Sequence, residues 1–219
     1  MDKITDFINN QYKALQVSTT VAVAADLFLD VAYTHFPILE QDVFLGSISK
    51  EDTDLFTSSD VILDHKYNLA RFFVRNNMNW FDVLEEFSKN NTNLLPVLDD
   101  KNNYLGFYEL EDVLHFFNET IFVKEDGCTL VIEKETADFT FSQICQIVES
   151  NDAKLLGVFI SNNLGTKTEI TLKISQNNFN EIIQTFRRYN YTILSENQED
   201  AYLADLKDRS DYLNKYLNI

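Results

Sequence analysis

Apolar positions in the first half of the chain repeat a single plan. Val21, Ala24, Ala25 and Phe28 follow the i, i+3, i+4, i+7 spacing that lines one face of a helix, and Trp80, Val83, Leu84 and Phe87 follow it again. Thr20 and Asn79 stand just before these runs, where a side-chain oxygen can cap the first free N–H groups of a helix. Behind each helix comes a short apolar run holding a proline, Phe36-Pro37-Ile38-Leu39 and Leu95-Pro96-Val97-Leu98, and the chain has only 2 prolines. Phe44-Leu45-Gly46 and Tyr104-Leu105-Gly106 follow. The offset is 59 residues through the prolines and 60 at the glycines, so the second copy carries one extra residue in the intervening turn, a cheap place for an insertion.

Each copy therefore reads as helix, strand, turn, strand, helix, with the second helices beginning after Ser49 and around Glu109. The copies span about residues 10–62 and 63–122, and because a unit of that size cannot bury its own apolar face, the two should pack into one pseudo-symmetric domain, 1–122. The cleft between them is the natural ligand site. Val123-Lys-Glu-Asp-Gly127 is a polar break. Beyond it the pattern gives strand 129–133, helix 141–149, strand 154–160, strand 168–174, helix 179–189 and strand 191–194. That order is the split βαββαβ unit of ferredoxin-like folds, assigned to 123–196. Residues 197–219 carry Ala201, Leu203, Leu206, Tyr212, Leu213, Tyr216 and Leu217, an amphipathic helix whose apolar face needs a neighbour. The fold class is α/β of the α+β kind, with two domains.

Charge and composition remove several function classes. There are 18 Lys and Arg against 35 Asp and Glu, a net charge of -17, and such a surface repels nucleic acid and anionic membranes. No apolar run reaches the roughly 20 residues of a membrane span, and the opening residues lack the apolar core of a signal peptide, so the cytoplasm is the expected location. Cys128 and Cys145 are too few for a disulfide framework and read as buried thiols, while His35, His65 and His115 show no metal-ligand spacing. No nucleophile motif or phosphate-binding glycine loop is present, and no enzyme, cofactor or metal is expected. One stretch runs against the overall charge: residues 65–75 contain Lys66, Arg71 and Arg75 and no acid. It reads either as an anion pocket or as ion pairing with the acidic surface.

The repeated pattern, a helix, then hPhh (h, apolar), then a turn, then hhGxx[ST]xxD, resembles the cystathionine-beta-synthase (CBS) motif over about residues 10–120, and two in tandem resemble a Bateman module. The second half resembles an ACT-like regulatory domain, and the combination is similar to the acetoin-utilisation AcuB-like CBS proteins. The resemblance implies an adenosine-containing ligand (AMP, ADP or ATP type) in the cleft, with a hydroxyl near phosphate and a carboxylate on the ribose hydroxyls. Those roles fall to Ser49 and Asp52 in Gly46-Ser-Ile-Ser-Lys-Glu-Asp52, with Arg71 or Arg75 offsetting phosphate charge. Ser49 and Asp52 also suit a helix cap, and that alternative stays open. In copy two the hydroxyl position is Glu109, ahead of Asp112, and a carboxylate beside phosphate is expected to abolish that site. ACT relatives bind amino acids at a glycine-bearing turn, and the equivalent stretch here, 134–139, has no glycine.

The resulting expectation is a non-enzymatic regulatory or sensor module, a homodimer through CBS helices and ACT-like sheet edges. The alternative is a ligand-free protein-protein interaction or dimerisation module with an unidentified protein partner.

Overall fold

The computed structural model describes residues 3–195, so the helix expected at 197–219 lies outside the described residues. The chain divides into two compact units, Met1–Glu119 and Thr120–Ile219. In the first, copy one comprises β1 (Leu15–Gln16), α1 (Val21–Asp30), β2 (His35–Glu40), β3 (Val43–Ser49) and α2 (Lys50–Leu55). Copy two comprises β4 (Val74–Arg75), α3 (Trp80–Lys89), β5 (Leu94–Leu98), β6 (Tyr104–Glu109) and α4 (Leu110–Asn118). Each copy forms a three-stranded sheet, β1-β2-β3 and β4-β5-β6, with the first pair parallel and the second antiparallel.

The two hairpins share one register. Pro37 faces Ser47 and Pro96 faces Phe107, and a bulge follows Ile38 in one and Val97 in the other. Both prolines sit on the middle strand of their sheet, a place where a missing N–H normally costs a ladder bond. Here β1 pairs only with Ile38 and Leu39, and β4 only with Val97 and Leu98, so neither short strand reaches the proline. These two-residue strands are too brief for any periodicity to announce. In copy one the turn is closed by Gln41 and Asp42, both at positive φ (48° and 70°), as tight two-residue hairpins require. The extra residue of copy two is absorbed in a longer turn, where the Asp99 carboxylate accepts from the backbone N–H groups of Lys101 and Asn103, each at 2.8 Å.

The lead-in to each copy packs on the other copy. Ile62 and Leu69, which precede copy two, lie in the core of copy one with Val17, Ala24, Phe28, Phe36, Ile38 and Ile48, joined by Leu94 and Phe107. Ile4, Phe7 and Ile8, at the start of the described chain, pack instead on the core of copy two, around Val83, Phe87, Leu95, Val97, Tyr108 and Val113. Matching backbone pairs fasten both: Ser47 with Ala70 (2.7 and 2.9 Å) and Phe107 with Asn9 (2.8 and 3.1 Å). The sequence repeat therefore starts earlier than its apolar helices suggest, because the irregular lead-ins carry no periodic signal. Equivalent residues also meet across the pseudo-two-fold: Asn93 Oδ1 accepts from Thr34 N at 2.9 Å, and the rings of Phe44 and Tyr104 stack.

The second unit contains α5 (Ile121–Lys124), β7 (Cys128–Glu135), α6 (Phe141–Glu149), β8 (Leu155–Asn163), β9 (Lys167–Ile174), α7 (Phe179–Arg188) and β10 (Thr192–Ile193). Its sheet has the order β10-β7-β9-β8, antiparallel throughout, which is the βαββαβ split arrangement. Ile144, Ile147 and Val148 of α6 and Ile182, Ile183 and Phe186 of α7 meet Leu130, Ile132, Ile170, Leu172 and Ile174 of the sheet. Cys128 and Cys145 are free thiols and only half-buried, because each stands at the margin of that core rather than inside it.

Gly46 and Gly106 hold positive φ (153° and 141°), and a Cβ on Gly106 would lie 2.6 Å from the Asn9 carbonyl oxygen. Backbone cannot yield there as a flexible side chain would. Gly106→Ala should lower the stability of the first unit by about 1–3 kcal/mol, the scale of a residue forced into such a conformation. Urea denaturation followed by the fluorescence of Trp80, the single tryptophan, reads that unit directly; an unmoved midpoint would refute the close-approach argument.

Candidate functional site

The strand-to-helix corner after each hairpin positions the polar residues singled out by the sequence. In copy one, Ser49 ends β3 and caps α2: its Oγ accepts from Asp52 N at 3.0 Å, while Asp52 Oδ2 accepts from Ser49 N at 3.3 Å. This reciprocal pair is a capping box, which satisfies two backbone donors at once. Ser49 keeps its hydroxyl proton for another acceptor, and Asp52 keeps a second carboxylate oxygen. The fold thus brings Ser49 and Asp52 together.

The two arginines are placed differently. Arg71 is exposed and follows Ala70, the residue bridged antiparallel to Ser47, so it falls opposite Gly46, three positions along β3 from Ser49. Arg75 lies on β4 and is engaged by its own copy: its guanidinium donates to the Asp99 carbonyl and to Asn102 Oδ1 and sits 5.0 Å from the Phe73 ring. It fastens the long turn of copy two. His65, in the same basic stretch, is stacked on Phe56 and bonded to Asp60 at 3.0 Å.

The corresponding corner of copy two is occupied by protein. Glu109 Oε1 accepts from the Tyr33 hydroxyl at 3.0 Å and from Asn9 Nδ2 at 2.5 Å. Burial, and then the Glu109 carboxylate, push the Tyr33 phenol well above its ordinary pKa, so it remains a donor. Burial followed by Glu109 and Glu111 raises the Asp112 carboxyl above its usual value. By the repeat offset, Tyr33 corresponds to Thr92, and by the matching backbone bridges Asn9 corresponds to Ala70. Copy one therefore has Ser49, Ala70 and Thr92 where copy two has Glu109, Asn9 and Tyr33, three small residues for three large polar ones.

Residues 57–119 match the CBS domain family. That stretch contains the lead-in and every element of copy two, and the register of the hairpins extends the same topology to copy one. No curated protein matches the chain. Among solved structures, a CBS domain pair/ACT domain protein from Thermotoga maritima is 22% identical, with 54% of this chain and 98% of that chain covered and a TM-score of 0.49. The CBS domains of a transcriptional regulator from Streptococcus pneumoniae are 21% identical, covering 52% and 98%, at a TM-score of 0.46. CBSX2, solved in complex with AMP, is 19% identical, covering 52% and 95%, at a TM-score of 0.43.

One residue of the copy-one corner escaped the sequence reading. His35 lies opposite Ser49 in the hairpin, its Nδ1 3.0 Å from Thr34 Oγ1 and its ring edge-on to Phe72. Burial lowers its pKa, with Glu51 and Asp52 opposing, which favours the neutral imidazole. Its position one residue before the Phe-Pro run was the available signal, but only strand pairing links it to Ser49. Among the described residues, no group of three or more His, Cys, Asp or Glu could hold a metal ion, and no helix is long and apolar enough to cross a membrane.

Two outcomes follow for copy two. Glu109→Ala strands the Tyr33 hydroxyl and the Asn9 amide and should cost about 1–3 kcal/mol, read as a lower urea midpoint by Trp80 fluorescence. Asp112 has a folded pKa raised above the unfolded one, so the folded form takes up its proton first and stability is gained as pH falls through the raised value. Asp112→Asn should accordingly raise the midpoint at pH 7, with the gain shrinking as the pH is lowered toward about 4; a variant weaker than the parent at pH 7 would contradict this.

Proposed function

We propose that the first unit is a non-enzymatic sensor module that binds one adenosine-containing ligand per chain at the corner of copy one. The observation that carries this reading is the contrast between the corners: Glu109, Tyr33 and Asn9 fill copy two with their own hydrogen bonds, while Ser49, Thr92 and Ala70 leave copy one lined by short side chains. The CBS match over residues 57–119 and the Ser-x-x-Asp element of copy one support the ligand class. In this reading Asp52 accepts from the ribose hydroxyls through the oxygen not used in the cap. Ser49 donates to phosphate, and exposed Arg71 offsets phosphate charge. Arg75 contributes little, since it would have to leave Asp99 and Asn102. The ferredoxin-like unit is the responding partner, similar to ACT-like regulatory domains, and the module works as a homodimer in the cytoplasm.

A second reading, a ligand-free interaction or dimerisation module, is favoured by the fully formed Ser49–Asp52 capping box and by apolar side chains on the helices. Leu29 of α1 and Leu55 of α2 are each 80% exposed, a face that association would cover.

Titration calorimetry with AMP, ADP and ATP separates the two. The sensor reading expects one site per chain, a loss of about 1.5–3 kcal/mol in Asp52→Ala, the scale of a hydrogen bond to a charged group, and unchanged binding in Asp112→Ala. Thermal midpoints measured without nucleotide isolate the cost of losing the cap. Heat absent with all three nucleotides, or binding indifferent to Asp52→Ala, would leave the interaction module as the function.

A further inference from the structure

The lead-in packed on each copy runs back along the loop between that copy's first strand and first helix, and the two seams differ. In copy one the seam is closed: Ile62 N donates to Thr19 O and Leu63 N to Val17 O, while Asp60 O accepts from Val21 N at the head of α1, each at 2.9 Å. Copy two repeats the parts. Asp6 N donates to Lys3 O as Asp64 N does to Val61 O, and Phe7 lies on Phe116 as His65 lies on Phe56. Lys3, Ile4 and Thr5 therefore correspond to Val61, Ile62 and Leu63. Met78 N donates to Arg75 O as Thr19 N does to Gln16 O, so Asn76, Met78 and Trp80 correspond to Val17, Thr19 and Val21.

The bonds across the second seam are not made. Among the described residues Ile4 N and Thr5 N donate to nothing on the Asn76–Met78 loop, and Asn76 O, Met78 O and Trp80 N have no partner. A groove of about 600 Å³ lies between these two edges. Ile4, Met78, Trp80 and Phe116 make its lining largely apolar, and Lys3 is the single charged side chain among the described residues that line it. Unpaired backbone groups along the rim of a groove are a template for an added strand. One bond of the copy-one seam has been replaced: Asn79 Oδ1 accepts from Phe81 N at 2.9 Å, where Ser58 O accepts from Ala22 N in copy one.

We propose that this groove is a strand-addition site for an extended segment of a partner protein, an aspartate followed by aliphatic residues in the pattern of Asp60-Val61-Ile62-Leu63. The molecule itself supplies the pattern, because that segment satisfies the three equivalent backbone groups in copy one. In the groove the aspartate carbonyl accepts from Trp80 N, two N–H groups of the segment donate to Met78 O and Asn76 O, and its other backbone edge meets Ile4 N and Thr5 N. The aliphatic side chains lie on Trp80 and Phe116. Charge selects the aspartate: His65, which bonds Asp60 at 3.0 Å in copy one, is replaced by Phe7, and Lys3 is the cation that remains. The chain's own example of the pattern is engaged in closing copy one, so the occupant comes from another protein. Neither Ser49 nor Asp52 takes part, which keeps this site separate from the corner of copy one.

The probe is the acetylated peptide Ser-Ser-Asp-Val-Ile-Leu, the sequence of residues 58–63, titrated into the full chain. Trp80, the single tryptophan, lines the groove and reports its occupancy by fluorescence. A saturable change at one peptide per chain is expected, with a Kd below about 1 mM. The same peptide N-methylated at isoleucine lacks the N–H directed at Met78 O and should bind at least about fivefold more weakly. Lys3→Glu should weaken the parent peptide about two- to fivefold, the scale of an exposed ion pair, and leave a peptide with asparagine in place of the aspartate unaffected. Emission unaltered up to about 5 mM peptide, equal binding of the N-methylated peptide, or a Lys3→Glu loss shared by both peptides overturns the inference. Emission that shifts with protein concentration alone, without peptide, assigns the groove to a second copy and overturns it as well.

Discussion

The first unit depends on two places where backbone meets backbone with no room for a Cβ. At Gly46 the Leu69–Ala70 segment, and at Gly106 the Ile8–Asn10 segment, approach so closely that any other residue would collide with them. Those contacts anchor the lead-in of one copy to the hairpin of the other and so turn two marginal βαββα pieces into one unit. Once the lead-ins are anchored, Ile62 and Leu69 complete one core and Ile4, Phe7 and Ile8 support the other. The apolar helices then have a surface to cover, and tertiary packing rather than helix propensity sustains them.

Because the backbone of the two copies is so nearly equivalent, the differences between them are chemical. Copy two uses the N-terminal lead-in and Tyr33 to satisfy a carboxylate at the head of α4, so Glu109 Oε1, the Tyr33 hydroxyl and the Asn9 amide are engaged with one another. Copy one ends its hairpin with a serine that caps its own helix and still has a proton to donate. Symmetric scaffolds permit this division, since one corner can be given to stability without disturbing the hairpin that forms the other. His35 adds to the asymmetry, because its counterpart in copy two is the buried, apolar Leu94.

The second unit shows the opposite economy. Its core is a two-layer arrangement in which period-two strands and two helices with sharply divided faces meet along one surface. On the far side of the sheet lie Val131, Phe159 and Leu194, of which Phe159 is 45% and Leu194 44% exposed.

The sequence by itself determined the repeat, the offset of 59 and 60 residues, the hairpin-helix order of both copies and the βαββαβ order of the second half, since each rests on local periodicity or on punctuation by proline and glycine. It also identified Ser49 and Asp52 as a pair, because a spacing of three at a helix start brings side chains together whatever surrounds them. It did not determine β1 and β4, whose two residues carry no period, nor the role of the lead-ins, whose partners lie about a hundred positions away in the case of Asn9 and Phe107. The separation of Arg75 from Ser49, the closure of copy two by Tyr33 and Asn9, and the placing of His35 beside Ser49 were decided only by the tertiary structure. Each depends on which strands become neighbours, and strand neighbours are chosen by burial over the whole chain rather than by any local pattern.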